Sequence, residues 1–329
     1  MSAGFDAVVV GGGLVGCAIA WGMARGGARV GLVDEGDVAF RAARGNFGLV
    51  WVQGKGLDMP DYARWTQQSA TLWPQLAGAM AEATGADVGL RQAGGLAFCL
   101  SDEELERRAA IVHRMHNESG DIGTRMIDRA ELRAMVPSIG DGVVGAAYCP
   151  MDGHANPLVT LRSLQQAFIA LGGAYLPNRT VDRIDAAAHD FTLHCGGEAI
   201  RAGKVVIAAG LGSARLAPMV GLDMPVKPLR GQIMVTERVQ PFLDYATHTV
   251  RQTQEGSVML GDSHEDAGFD VSTSANVMQE IASRNLKAFP KLADATVVRV
   301  WAALRVMTPD GHPIYEQSPA TRRVLRHLP

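Results

Sequence analysis

The first stretch of apolar residues predicts a β–α–β unit over residues 5–34. Ala7 to Val10 is a run of four apolar residues, which is typical of a short buried strand. Leu14 to Arg25 is rich in Ala and Gly and predicts an apolar helix. Arg29 to Val33 predicts a second strand, and Asp34 follows it directly. A glycine-rich segment comes next, in which we expect a loop with one short strand over Leu49 to Val52.

Apolar residues at helical spacing and capping signals predict five helices downstream. The first has Asp58 as its predicted N-cap and Gly85 at its end, and we expect one face of it to pack into the core. That face comprises Tyr62, Trp65, Ser69, Leu72, Leu76 and Met80. Capping boxes, Ser/Asp-x-x-Glu, open helices at Ser101 and Asp128. Asn156 opens another, and a last helix is predicted near residues 275–287.

Strand patterns divide the rest of the chain into two kinds of segment. Residues 181–184, 191–195 and 204–209 predict strands that continue the first half. Residues 232–236, 248–252, 257–260 and 297–303 alternate as antiparallel strands do. We therefore predict that pieces of one α/β domain are interleaved with a second, β-rich domain.

The glycines after the first strand form a dinucleotide-binding fingerprint, G-x-G-x-x-G, with an acid at the end of the second strand. Gly11 permits a tight turn, Gly13 lets the backbone approach a pyrophosphate, and Gly16 lets the helix pack closely on the strands. The phosphates then lie at a helix N-terminus. Asp34 is placed to accept hydrogen bonds from ribose hydroxyls and disfavours NADP. The fingerprint alone leaves FAD and NAD open.

Composition and charge exclude several classes of protein. The chain is 47% hydrophobic and 20% charged, as globular proteins are. Its net charge of −3, without a basic run, argues against a nucleic-acid partner. Four separated cysteines without a C-x-x-C pair argue against a metal site and against a disulfide framework. No stretch of about 18 uninterrupted apolar residues occurs, so we expect no transmembrane helix and a cytoplasmic protein.

Later motifs, together with the fingerprint, resemble the D-amino-acid oxidase-type family of FAD enzymes. That family includes glycine and sarcosine oxidases, D-amino-acid dehydrogenases and hydroxyproline dehydrogenase-like subunits. The resemblance covers nearly the whole chain, in order. The motifs that carry it are RAARGNFG at 41–48, VVIAAG at 205–210, PLRGQ at 228–232, WAALR at 301–305 and TPDGHP at 308–313.

The resemblance implies a mixed α/β fold, in which a glutathione-reductase-type Rossmann domain binds FAD and an antiparallel sheet forms the substrate domain. We place the FAD domain at 1–85, 150–225 and 300–329, and the substrate domain at 86–149 and 226–299. The resemblance also implies non-covalently bound FAD, a small amino acid or amine as substrate, and oxygen or a quinone as electron acceptor. The expected reaction is hydride transfer from the substrate α-carbon to flavin N5.

Family positions map onto this sequence residue by residue. The expected cofactor-binding residues are Gly11, Gly13, Gly16, Asp34, Arg41, Asn46, Gly48, Val181 and Gly210. Arg305 matches the arginine that holds the substrate carboxylate, a role that suits a planar guanidinium. His264 is a second catalytic candidate, and a solvated loop histidine is the alternative. His154 is either an active-site or a structural residue.

Two departures from the family pattern keep other interpretations open. Val306 and Met307 follow Arg305, where relatives often carry a proline. The chain ends at Pro329, where relatives continue for a few dozen residues, so we expect a missing C-terminal segment, weak FAD binding and little turnover. The alternatives are a non-catalytic homologue or subunit of a heteromeric amino-acid dehydrogenase, and an NAD-dependent dehydrogenase.

Overall fold

A computed structural model describes residues 4–36, 42–187 and 189–319, and the backbone of 324–327. The helices in these ranges are α1 (Leu14–Arg25), α2 (Pro60–Thr84), α3 (Asp102–Ser119), α4 (Arg129–Met135), α5 (Pro157–Ala170), α6 (Ser213–Leu216) and α7 (Ala275–Ala288).

The strands of the same ranges form five sheets, and each is numbered in chain order. They are β1 (Ala7–Val10), β2 (Val30–Val33), β3 (Leu49–Val50), β4 (Gly95–Cys99), β5 (Arg125–Asp128), β6 (Gly145–Cys149), β7 (Gly153–His154), β8 (Ala174–Leu176), β9 (Arg183–Ala186), β10 (Phe191–Cys195), β11 (Glu198–Ala202), β12 (Val205–Ile207), β13 (Lys227–Arg238), β14 (Ala246–Thr247), β15 (Val250–Gln252), β16 (Ser257–Leu260), β17 (Val297–Met307), β18 (Tyr315–Gln317) and β19 (Val324–His327).

A six-stranded sheet, in the order β18-β19-β12-β1-β2-β8, forms the first layer. Its inner strands are parallel, with Val8 opposite both Val205 and Gly31. Because successive side chains of a strand point to opposite faces of the sheet, β1 contributes residues to two hydrophobic cores. Val9 packs with α1 and α5 on one side, while Val8 packs with the antiparallel sheet β11-β10-β9 on the other. This confirms the predicted β–α–β unit, including both bounds of α1.

Two four-stranded sheets, β15-β16-β13-β17 and β14-β4-β6-β5, form the second half of the molecule. They share one core with α7, in which Phe98, Leu260 and Phe289 are buried. The second half is thus rich in antiparallel strands, and it is interleaved in sequence with the first, as predicted. The mixed α/β fold class is confirmed.

The start and the buried face of α2 differ from the prediction. Asp58 does not cap the helix: Met59 holds the N-cap position, and the Asp58 side chain pairs with Arg114 instead. The buried positions are alanines and Met80, while Trp65 is 47% exposed. The predicted face is confirmed at Met80 and at Leu76, which packs against the core, but it was wrong at Trp65 and Leu72. Small side chains take their place in the buried face, and Trp65 packs against Tyr315 with 4.5 Å between the tilted rings.

The other predicted helix starts are confirmed by their hydrogen bonds. Ser101 accepts a hydrogen bond from the Glu104 backbone N–H, and the Glu104 carboxylate accepts one from the Leu100 N–H. Asn156 accepts from the first turn of α5. In the part of the chain that the structure describes, no helix has the length and apolar character needed to cross a bilayer.

Candidate active site

A cavity of about 460 Å³ opens where the carboxyl ends of β1, β2 and β12 meet. This edge of a parallel sheet is the usual place for a ligand in α/β folds. The sequence-predicted residues that line the cavity are Gly11, Gly13, Asp34, Asn46, Val181 and Gly210. The structure therefore brings together six positions that are spread over 200 residues.

Three glycines shape the mouth of the cavity, each for a different reason. A Cβ on Gly11 would lie 2.3 Å from the Ala208 carbonyl oxygen, and Gly11 has a φ of +110°. A Cβ on Gly16 would lie 1.8 Å from the Gly11 oxygen, so Gly16 holds α1 against the turn without lining the cavity. Around Gly13 there is open space, and α1 begins there without a side-chain cap. Such an N-terminus is ready to bind a phosphate.

Asp34 is buried at the end of β2 and lines the same cavity. Its two carboxylate oxygens accept hydrogen bonds from the backbone N–H groups of Gly12 (2.6 Å) and Gly36 (2.8 Å). The carboxylate therefore fixes the glycine turn in place. It also presents an acceptor to the cavity at the position that a ribose hydroxyl takes in dinucleotide sites.

Gly48 and Val181, both predicted to bind the cofactor, differ in their relation to the cavity. Gly48 does not line the cavity; its φ is +87°, and a Cβ there would lie 2.4 Å from the Ala155 carbonyl oxygen. Only glycine fits at position 48, because the Ala155 carbonyl oxygen leaves no room for a Cβ. The Val181 carbonyl already accepts a hydrogen bond from Arg215 (2.8 Å). Arg41 lies outside the described residues.

The sheet β15-β16-β13-β17 turns one face towards residues 45–56, and we call it the inner face. Residues directly opposite each other in antiparallel strands share a face. Arg251 of β15 lies opposite Met259 of β16, and Met259 in turn lies opposite Val235 of β13. Further along β13, three residues lie opposite β17: Ile233 opposite Trp301, Gly231 opposite Ala303 and Leu229 opposite Arg305. Arg251, Met259, Trp301, Ala303 and Arg305 thus lie on the inner face.

Residues 45–48 cross this inner face from one edge to the other. A Cβ on Gly45 would lie 2.0 Å from Ala303, and one on Gly48 would lie 3.4 Å from the Arg251 guanidinium carbon. Phe47 between them lies against Gly261, just after β16. The segment that carries the cavity residue Asn46 is therefore packed directly on the strand that carries Arg305.

Arg305 lies flat across the inner face, half-buried. Its Nη1 donates to the Ser263 carbonyl (2.8 Å), and its Nη2 donates to the Asp262 carboxylate (3.1 Å). A Cβ on Gly231 would lie 2.4 Å from Nη1, so this glycine makes room for the guanidinium. Val306, the next residue along the strand, points to the opposite face and lines the cavity. The Arg305 side chain thus lies on the inner face and not in the cavity wall, and Asp262 neutralises part of its charge.

His264 does not join this arrangement closely. Its side chain is 62% exposed and its Nε2 lies 3.6 Å from the Asp262 carboxylate. It does not line the cavity. The structure places His264 near Arg305 only through their common neighbour Asp262.

A buried polar cluster lies beside the inner face; its members Asp152 and Arg251 were missed in the sequence, whereas His154 was named as a candidate. Asp152 is fully buried and accepts hydrogen bonds from the Val52 N–H (2.6 Å) and the Gln53 amide (2.7 Å), while burial raises its pKa to about 6. His154, for which the sequence allowed an active-site or a structural role, is buried 3.5 Å from Arg251; burial lowers its pKa to about 4. Arg251 is also buried, and burial lowers its pKa to about 10.

Comparison with known proteins identifies the family. A family model described as FAD dependent oxidoreductase (DAO) matches residues 6–327. The chain belongs to this family. FAD is therefore the cofactor, and the NAD alternative is overturned. The protein is an oxidoreductase.

Individual relatives agree with this assignment. The chain is 45% identical over 318 residues to an opine oxidase subunit of Rhizobium meliloti, a match that covers 95% of this chain and 85% of that protein. The corresponding Agrobacterium tumefaciens (strain Ach5) protein is 43% identical over 315 residues, with the same shares covered. The crystal structure of glycine oxidase from Geobacillus kaustophilus has the same fold, with a TM-score of 0.90 at 24% identity over 98% of this chain and 88% of that chain.

The cavity has the features that the ADP half of FAD requires. Open space at Gly13, the uncapped start of α1 and the buried Asp34 carboxylate supply room, free N–H groups and an acceptor. Asp152 and Arg251, which were missed in the sequence, had a weaker signal than the glycine fingerprint. Asp152 and His154 lie in one short stretch, D-G-H, but their partners at 52–53 and 251 are about 100 residues away.

Proposed function

We propose that this protein oxidises the C–N bond of a small amino acid or N-substituted glycine. One observation carries this proposal: the segment that carries the cavity residue Asn46 packs on the strand of Arg305, a group suited to holding a carboxylate. A carboxylate held by Arg305 would bring its α-carbon close to the cofactor. The names of the relatives, opine oxidase and glycine oxidase, support an amino-acid substrate.

Each part of the cavity has a proposed task in binding the cofactor. The turn at Gly11–Gly13 and the start of α1 would hold the pyrophosphate, and Asp34 would accept the ribose hydroxyls. Asn46, Val181 and Gly210 would contact the rest of the cofactor. We propose the same domain division as the sequence suggested, because β1, β2, β8 and β12 share one sheet while β13 and β16 belong to another.

The chemistry needs orientation more than acid–base catalysis. Bound FAD supplies the acceptor for the hydride, which leaves the α-carbon with both electrons of the C–H bond. The amine loses a proton as the C=N bond forms, and water then adds to that bond to release an amine and an oxo acid. Arg305 contributes by fixing the carboxylate, which sets the position of the α-carbon. Asp262 and the substrate carboxylate would then both accept hydrogen bonds from the Arg305 guanidinium.

We further propose that the protein works as one subunit of a heteromeric enzyme. The two relatives above 40% identity are each named as a subunit of opine oxidase. The second subunit would exchange electrons or product with this chain, and oxygen or a quinone would be the final acceptor of the electrons. Co-expression with a neighbouring candidate subunit, followed by size-exclusion chromatography, tests this assembly.

The test of the catalytic proposal replaces Arg305. Arg305→Lys keeps the charge but loses the two-pronged donor, and Arg305→Ala loses both. We expect kcat/KM for glycine, sarcosine and D-amino acids to fall in the order wild type, Lys, Ala, with flavin per chain unchanged. Wild-type activity of Arg305→Ala would place the carboxylate site elsewhere.

A further inference from the structure

Residues 263–274 connect the end of β16 to the start of α7, and we call this segment the strap. Its first part is held by β13. The backbone N–H groups of Arg230 and Glu265 each donate to the other residue's carbonyl, at 2.9 and 3.0 Å. The Arg230 guanidinium also donates to the Glu265 carboxylate (2.7 Å). The first part of the strap is therefore fixed through both its backbone and a side chain.

The last part of the strap is held by the same strand. Arg230 forms a second ion pair with Asp270, and the Ser274 backbone N–H donates to the side-chain oxygen of Gln232 (3.0 Å). The Gln232 amide donates in turn to the Glu265 carboxylate (2.9 Å), which links the two ends of the strap. Gln232 is fully buried, and the Arg230 side chain is only 11% exposed. Charge-assisted hydrogen bonds in such surroundings are strong, so the tip of the strap projects from two fixed ends.

Phe269, at the tip of the strap, lines the FAD cavity although it is 57% exposed. In the sheet register, Arg230 lies opposite Leu304 and Pro228 lies opposite Val306. Because side chains alternate along a strand, Arg230 and the cavity residue Val306 share the face of the sheet that is turned away from the inner face. The anchor of the strap and the cavity wall thus lie on one side of the sheet. An exposed aromatic ring held there is suited to pack against a flat ligand.

Phe269 belongs to the part of the cavity wall that comes from the antiparallel sheet. The turn at Gly11–Gly13 and the Asp34 carboxylate, which suit the ADP half of FAD, belong to the six-stranded sheet and its connections. Phe269 and Val306 are instead contributed by the strap and by β17 of the sheet β15-β16-β13-β17. FAD continues beyond its pyrophosphate into a ribityl chain and a flat flavin ring. A cofactor whose ADP half lies at the first sheet would therefore extend its riboflavin half towards the second.

We propose that Phe269 is a binding residue for FAD, whose ring packs against the riboflavin half of the cofactor, and that Arg230 is the positioning residue that holds the strap for it. FAD in the cavity covers the exposed ring and so removes apolar surface from water. ADP lacks the riboflavin half and gains nothing from Phe269. Cofactor binding is measured without substrate, so the outcome is independent of the proposed reaction.

Titration of the flavin-free chain with FAD and, separately, with ADP tests this division of the cavity. Both affinities are measured by calorimetry in wild type, Phe269→Ala, Phe269→Tyr and Val271→Ala. Val271 provides the matched control, because it is an apolar residue of the same strap, is 47% exposed and does not line the cavity. Thermal melting of each variant without ligand checks that the fold is retained.

We expect Phe269→Ala to weaken FAD binding about 5- to 30-fold, as for the loss of one aromatic contact, and to change ADP binding less than about twofold. Phe269→Tyr should retain most of the FAD affinity, and Val271→Ala all of it. Three results would overturn the proposal: an unchanged FAD affinity in Phe269→Ala, equal losses for FAD and ADP in that variant, or the same loss of FAD affinity in Val271→Ala.

A double-mutant cycle tests the positioning role of Arg230. Arg230→Met removes both ion pairs of the strap, and it should weaken FAD binding while ADP binding changes little. If Arg230 acts by holding Phe269, adding Phe269→Ala to Arg230→Met should cost much less FAD affinity than it does in wild type. Additive losses would refute the positioning role. If melting shows Arg230→Met to be unfolded, Asp270→Asn takes its place, because it weakens one of the two ion pairs at an exposed carboxylate.

Discussion

Asp152 should make the folded chain less stable as the pH rises. Its carboxyl group is fully buried, and burial raises its pKa from 3.8 to about 6. The folded chain therefore holds this proton more tightly than the unfolded chain does. Stability from this group falls as the pH rises from about 4 to about 6, and the whole cost remains above that range. The shift of about two pKa units corresponds to a cost of about 3 kcal/mol.

Asp152→Asn is the perturbation that isolates this cost. Asparagine keeps an acceptor for the Val52 N–H but carries no charge. Its new amide N–H can be satisfied if the Gln53 amide rotates, because Gln53 Oε1 has no partner among the described residues. The rotation would break the Gln53 hydrogen bond to Gly95 (3.3 Å). We expect a cost of about 1 kcal/mol from that lost hydrogen bond, independent of pH.

The assay is urea unfolding of FAD-loaded wild type and Asp152→Asn at several pH values, with coincident probes to check two-state behaviour. The variant should gain about 1.4 kcal/mol relative to wild type between pH 5 and 7.5, because only wild type carries the cost of the ionised group. Asp190→Asn, at an exposed turn, should show no such gain. A constant difference between wild type and Asp152→Asn across this range would refute the reasoning.

Three further predictions concern the cavity and the inner face. Asp34→Ala should weaken FAD binding by about 1–3 kcal/mol, measured by FAD titration, because a charged acceptor is lost. Gly16→Ala should sharply reduce both flavin per chain and Tm, since its Cβ would lie 1.8 Å from the Gly11 oxygen. Gly231→Ala should displace the guanidinium end of Arg305, raising KM for carboxylate substrates in steady-state assays while Tm changes little.

Local sequence signals predicted the cofactor half of the molecule well. The fingerprint from Gly11 to Gly16, helix α1 and Asp34 contact one another within 30 residues of sequence. Their spacing in the sequence is therefore enough to predict how they are arranged. The capping box at Ser101 and the cap at Asp128 were equally local and are confirmed by their hydrogen bonds, although the Glu131 carboxylate pairs with Arg125 and does not complete a box at Asp128. Interactions between residues close in sequence could therefore be predicted from the sequence pattern alone.

The strands of the second half were harder to predict. β4 (GLAFC) and β6 (GAAYC) are poor in β-branched residues, so they lack the usual strand composition and were not predicted as strands. Tertiary contact explains why they form: a Cβ on Gly145 would meet the Ile127 carbonyl oxygen at 2.8 Å, and Gly95 lies against Asp152 and Trp51. Close packing, rather than propensity, selects small residues there.

The substrate side depended on contacts that no local pattern encodes. Gly231 is a glycine because a guanidinium 74 positions later lies across it, and Asp262 approaches Arg305 from another strand end. A sequence can mark Arg305 through its motif, but the surroundings that decide its charge come from distant segments. The same applies to the exposed Trp65, whose stacking partner Tyr315 is 250 positions away.

The arrangement of charges assigns different tasks to the two regions of the site. In the cavity, an acid and an uncapped helix start face each other, an arrangement suited to a ribose and a pyrophosphate along one ligand. On the inner face, among the described residues, the guanidinium groups of Arg251 and Arg305 and the Trp301 indole N–H accompany the acid that pairs with Arg305, Asp262. Anionic groups on the substrate would satisfy these donors, so the substrate's carboxylates, more than its amine, should govern recognition.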